Sequence, residues 1–167
     1  MKEVLNSLYE AKSFFATIPD DAIEERAKGF LKYYNLFLHQ DNNLTETNYY
    51  STWRVNFITY NKGDLTDDAE EYLIKHSAPP KDRLSENINL LNGFINAEID
   101  RLESKDFIQG ENAMLSSDNP TIREYGQKLE KATPKNYRSI FQDIIKGVPA
   151  IANIGTAILN FLAKIKN

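Results

Sequence analysis

Apolar residues recur at intervals of three and four along most of the chain, the spacing of one face of a helix. Val4, Leu5, Leu8, Ala11 and Phe15 predict a first helix that ends near Ala16 and is stopped by Pro19. Asp21 and Glu24 have the spacing of a capping box for a second helix, whose core stripe is Ile23, Ala27, Phe30, Leu31, Tyr34, Phe37 and Leu38. Asp41-Asn42-Asn43 then breaks the pattern, because these side chains hydrogen-bond their own backbone and favour turns. Between Thr45 and Tyr60 two periods compete. Tyr49, Tyr50, Trp53, Phe57 and Tyr60 fit a helix face, whereas Trp53, Val55 and Phe57 alternate as in a strand; the segment is read as helix, leaving at Gly63. Thr66 caps a short helix through His76 whose first turn carries Asp67, Asp68, Glu70 and Glu71, the sign that the helix dipole favours.

Ala78-Pro79-Pro80 is the next break, and after it Leu84, Ile88, Leu91, Ile95, Ile99 and Leu102 form the most regular stripe in the chain. It predicts a helix of about six turns. Ser104 to Asn119 lacks sustained periodicity, contains Gly110 and Ser116-Ser117-Asp118, and is read as a mobile loop. Asn119 followed by Pro120 opens a helix with Ile122, Tyr125, Leu129 and Ala132 facing inward, and Thr133-Pro134 repeats the device for the last one. Six or seven helices without a convincing strand pair make an all-α bundle, expected as a single domain over residues 1–167.

Within that domain the charge is divided. Residues 134–167 hold five basic side chains, Lys135, Arg138, Lys146, Lys164 and Lys166, against Asp143 alone, a net of +4; the whole chain is at −4, so the acidic body over 1–133 carries −8. From Gly147 to Ala163 no residue is charged. That run sits at the short limit of a membrane span, but Asn153, Thr156, Asn160 and Lys164 build a polar stripe while Val148, Ile151, Ile154, Ile158, Leu162 and Ile165 line the other side. Such a segment is amphipathic, suited to a bundle or to a surface rather than to crossing lipid. Pro149 removes a backbone hydrogen bond, so a kink or break is expected between Lys146 and Ala150. The residues expected to meet a membrane or a partner are Lys146, Val148, Pro149, Ile151, Ile154, Ile158, Phe161, Leu162, Lys164 and Lys166. Against this stands burial of the same helix at the centre of the bundle, with Gly147, Ala150, Gly155 and Ala157 admitting close neighbours. Locally, Gly147-Val148-Pro149-Ala150-Ile151 with Lys164-Ile165-Lys166 resembles amphipathic lytic peptides of the melittin kind, which pair a Gly-X-Pro-Ala hinge with a basic end. The dense basic cluster of those peptides is thinner here, and the resemblance implies membrane activity for this segment alone.

Composition removes whole classes of chemistry. The chain has no Cys, which excludes disulfides, thiol nucleophiles, cysteine-held zinc and iron–sulfur clusters. Its two histidines, His39 and His76, have no Arg four to six residues before them, as helical nucleases of one kind require, and are read as favourable charges at helix ends. Asp41-x-Asn43-x-Thr45 opens like a calcium loop, but Glu46 stands where Gly is needed and Thr52 where a bidentate Glu is needed. The acidic cluster from Asp64 to Glu71 is read as a solvated helix start, and Glu98 with Arg101 and Glu103 as ion pairs on a helix surface. Tyr33, Tyr34, Tyr49, Tyr50, Trp53, Phe57 and Tyr60 are read mainly as core, with a surface cluster for a partner as the alternative. The acidic balance argues against nucleic acid as a partner.

No metal and no cofactor is therefore expected. Lys2, Glu3, Glu10 and Lys12 interrupt the apolar residues at the amino end, so no signal-peptide core is present and Asn43-Leu44-Thr45 is read as a chance glycosylation match. The expectation is a cytoplasmic protein, peripheral to the membrane if the tail binds lipid. Seventeen asparagines with many Lys and Ile suggest an AT-rich bacterial or phage genome. The function expected is that of a non-enzymatic interaction or regulatory bundle, binding a protein partner or forming a homo-oligomer, in the setting of microbial or phage defence. The alternative is an effector that associates with or permeabilises anionic membrane through the carboxyl-terminal helix.

Overall fold

The computed structural model describes residues 1–38 and 81–166. Among the described residues are seven α-helices and no strand, the all-α architecture that the apolar spacing predicts. They are α1 (Lys2–Thr17), α2 (Ile23–Phe37), α3 (Lys81–Leu102), α4 (Lys105–Leu115), α5 (Pro120–Glu130), α6 (Tyr137–Gly147) and α7 (Thr156–Lys166), with a 3-10 turn at Val148–Ala150. The expectations for the turn at Asp41, the helix over Thr45–Tyr60, the exit at Gly63, the Thr66-capped helix, the Ala78-Pro79-Pro80 break and the two histidines lie outside the described residues. So do the calcium-loop and acidic-cluster readings. The chain divides into two compact units, Met1–Lys12 with Phe94–Asn167, and Ser13–Gly93.

In the unit formed by Ser13–Gly93, α2 buries Ala27, Phe30, Leu31 and Phe37, as its stripe predicts, but Tyr33 takes the buried place expected for Tyr34. The rings of Phe14 and Phe15 both lie 5.8 Å from that of Tyr33. Gly29 is what lets Phe14 in, since a Cβ there would overlap its ring. The capping box is not formed. Ala22 stands at the N-cap with no side-chain acceptor, one residue past Asp21, so the first turn lacks the side-chain cap that Asp21 was expected to supply. Asp20 turns instead to Arg26, which is buried and held by a 3.2 Å ion pair.

In the other unit Val4, Leu8 and Ala11 and the stripe from Ile95 to Leu102 are buried as expected, whereas Leu5 is only half-buried. The stretch read as a mobile loop is a correction: residues 105–115 are α4, started by Ser104, whose hydroxyl accepts from the amide of Phe107 at 3.3 Å. Its buried line is only Phe107, Gly110 and Met114. Gly110 lies within this helix where Phe161 of α7 presses on it: a Cβ would collide with the Phe161 Cβ and sit 3.0 Å from the Ala157 carbonyl.

Asn119 caps α5 as predicted, its Oδ1 accepting from the amides of Thr121 and Ile122, and Ile122, Leu129 and Ala132 are buried while Tyr125 is half-buried. The Met1 amino group donates to the Leu129 carbonyl at 2.9 Å. Thr133-Pro134 does not repeat the cap. Pro134 leads a turn in which Asn136 Oδ1 accepts from the Thr133 amide, and α6 begins only at Tyr137.

Candidate functional site

The carboxyl-terminal segment is built as a hairpin of two helices. α6 ends at Gly147, before Pro149, where the missing N–H and the ring forbid another α-turn. The break is longer than the sequence implies: after the 3-10 turn Ile151 is extended, and Asn153 (φ 59°) and Gly155 (φ 78°) occupy the left-handed region before α7 starts at Thr156. Asn and Gly are the residue types that take this conformation most cheaply. The polar stripe is thereby interrupted, since Asn153 lies in the break and Thr156, Asn160 and Lys164 on α7.

This geometry sorts the ten singled-out residues. Val148, Ile158, Phe161 and Leu162 are buried, Ile151 and Ile154 half-buried, and Lys146, Pro149, Lys164 and Lys166 exposed. The Phe161 ring stands 4.9 Å from that of Phe107 and 6.5 Å from that of Phe141, with Tyr137 edge-on to Phe141 at 5.4 Å. α7 therefore fills the middle of its unit, and burying Ile158, Phe161, Leu162 and Ile165 contributes roughly 1.5–3 kcal/mol each. What it leaves to solvent is another face, carrying Leu159 (54% exposed), Asn160, Ala163, Lys164 and Lys166. On α4, Ile108 is 45% exposed. Sequence spacing missed Leu159 and Ile108: each adjoins a core residue (Ile158, Phe107), but successive helix positions are turned about 100° apart, and these two fall on the side away from the buried line. Leu90, in the other unit, follows the same logic beside Leu91 and is 75% exposed.

Glu98 is a second correction. It is 3% exposed, and so is no part of a helix-surface pair. One oxygen takes a 3.1 Å ion pair from Arg101; the other accepts from the hydroxyl of Tyr137 at 2.7 Å. Burial, then the charge of Glu98 and the hydrogen bond to it, hold the Tyr137 phenol far above its ordinary value, so it stays a neutral donor. Arg138, next in sequence, lies over the Phe94 ring at 5.8 Å. The carboxylate is satisfied on both oxygens, an arrangement that fixes α6 on α3.

An open cleft of about 310 Å³ is lined by Glu124, Gln127, Lys128, Lys131, Asn136 and Ile140. Lys128 is tied to Glu124 at 3.0 Å, which raises its pKa, and rests 5.5 Å from the Tyr125 ring centre. Among the described residues no group of His, Cys, Asp or Glu could hold a metal ion, and no helix is long and apolar enough to cross a membrane. Comparison with known proteins gives no match: no family model, no curated protein and no solved structure is similar to this chain.

Proposed function

We propose that the protein is a non-enzymatic helical interaction module that binds a carboxylate-bearing protein surface through the exposed face of α7. The observation that carries this reading is Leu159, 54% exposed on a helix whose other side is locked into the core, with Lys166 two turns further along the same side and Lys164 also exposed. An apolar centre rimmed by charge is the anatomy of a protein interface, and no acidic residue follows Asp143 to repel an acidic partner. The test is retention of binding proteins from the source cell on immobilised wild-type protein and on Leu159→Asp. Loss of a specific partner from the variant, with its helical signal intact and the wild-type capture weakened by added salt, supports the reading. A wild-type protein that retains nothing specific and runs as a monomer ends it.

A second reading, contact with anionic lipid, is favoured by the wider exposed set to which those residues belong: Lys146, Pro149, Ala150, Ala152, Leu159, Ala163, Lys164 and Lys166 include three cations and no acid. Each lysine near such a surface contributes about 1 kcal/mol. Flotation with vesicles rich in anionic lipid, against neutral vesicles, separates this reading from the first.

A further inference from the structure

We infer that residues 149–166 have a second conformation, one continuous amphipathic helix, which the segment adopts when it leaves α4 for an anionic lipid surface. This rests on the second reading above and adds to it a change of fold.

The pattern of the segment is more regular than its structure uses. On a single helix Ile151, Ile154, Ile158, Phe161, Leu162 and Ile165 fall within an arc of about 100°, and Asn153, Thr156, Asn160 and Lys164 within an arc of about 80° across from it. The folded chain interrupts that helix with a 3-10 turn, an extended Ile151 and two left-handed residues. A connection of this kind has no need of helical periodicity, yet residues 151–155 keep it, and Ile151 and Ile154 are left half-buried. Conflict between a local pattern and the global fold is where a second state is to be sought.

Nothing covalent blocks that state. Pro149 stands in the first turn of the longer helix, where an N–H is not needed. Asn153 and Gly155 return to the right-handed region with little strain in either direction. In water the hairpin wins, because Ile158, Phe161, Leu162 and Ile165 have no other place to be buried. At a lipid surface the same four side chains enter the acyl region, Ile151 and Ile154 join them, and Lys146, Lys164 and Lys166 meet the headgroups. A ligand shifts an equilibrium only by its differential interaction with the two states, so lipid contact with the four core side chains, the two isoleucines and the lysines must together outweigh the uncovering of Phe107 and Phe141 when α7 departs.

The absence of Cys makes the test direct. Asn112→Cys with Asn160→Cys places one spin label on the exposed side of each of α4 and α7, which pack together in solution. On anionic vesicles the distance between labels is expected to lengthen by about 10 Å or more, a helix diameter. Asn153→Ala, which penalises the left-handed turn, is expected to raise vesicle partition roughly threefold, and Asn153→Gly to lower it, with both variants checked for cooperative melting above the assay temperature. If the protein floats but the label distance stays short, or if Asn153→Ala partitions no better than Asn153→Gly, lipid contact stands and the change of fold is overturned. If the protein does not float at all, both fall.

Discussion

The hydroxyl of Tyr137 donates a 2.7 Å hydrogen bond to the carboxylate of Glu98, 39 residues earlier in the chain, and both side chains are shut off from water. The bond joins α3 to α6, and its value lies in what its loss would leave behind. Removing one member strands the other, which costs more than the bond itself contributes.

Tyr137→Phe keeps the ring and its packing against Phe141 but leaves one oxygen of Glu98 without a donor. Its expected cost is about 1–3 kcal/mol, read as a lower urea midpoint with an unchanged slope. Glu98→Leu removes the charge together with its need for partners and is expected to cost less than Glu98→Ala, which opens a cavity beside the hydroxyl as well.

The same pair sets a response to alkali. The phenol's pKa is raised in the folded chain above the value of about 10 that it has when unfolded, so its contribution to stability is complete below pH 10. As pH rises beyond 10 the unfolded chain loses the proton first, and stability falls. Denaturation midpoints at pH 8 and pH 11 are expected to differ more in the wild type than in Tyr137→Phe; equal differences would remove Tyr137 as the cause.

Two glycines inside helices are expected to respond in opposite directions to alanine. At Gly93 an added Cβ meets nothing within 4 Å among the described residues, so Gly93→Ala is expected to stabilise by about 0.5–1 kcal/mol through helix propensity. At Gly110 the Cβ drives into Phe161 and the α7 backbone, and Gly110→Ala is expected to destabilise by about 1–3 kcal/mol despite the same propensity gain. Melting temperatures of the two variants moving in the same direction would contradict this account.

Asn119→Ala and Ser104→Ala each remove a side-chain cap from the start of a helix and are expected to cost about 1 kcal/mol. Glycine at either position is expected to cost only a few tenths, since it leaves the backbone free to adopt the cap conformation.

These two caps also mark what a sequence displays and what it hides. Asn119 was legible because Pro120 follows it and a broad stripe from Ile122 to Ala132 comes after. Ser104 was not, because α4 buries one narrow line with a glycine in the middle, and that glycine answers to Phe161, a partner remote in sequence. The stripe of α3 could be read residue by residue, yet Glu98 within it could not be recognised as buried: Arg101 is its helical neighbour, while Tyr137 belongs to another helix. In the carboxyl-terminal segment the break near Pro149 followed from the chemistry of proline. Its length did not, since the left-handed turns at Asn153 and Gly155 are set by where α7 must go to fill the space beside Phe107.

One of the two compact units joins Met1–Lys12 to residues from Phe94 onward, and its Tyr9 hydroxyl reaches Glu103 at 2.6 Å. Its halves are therefore made at different times. A ribosome adding about 5–20 residues per second needs roughly 4–16 s to pass through Ser13–Gly93 between them. Throughout that interval Val4, Leu8 and Ala11 are on a nascent chain whose packing partners have not yet been translated. The apolar face of the first helix thus needs shelter during synthesis, and codon-level slowing anywhere within the intervening stretch prolongs its exposure.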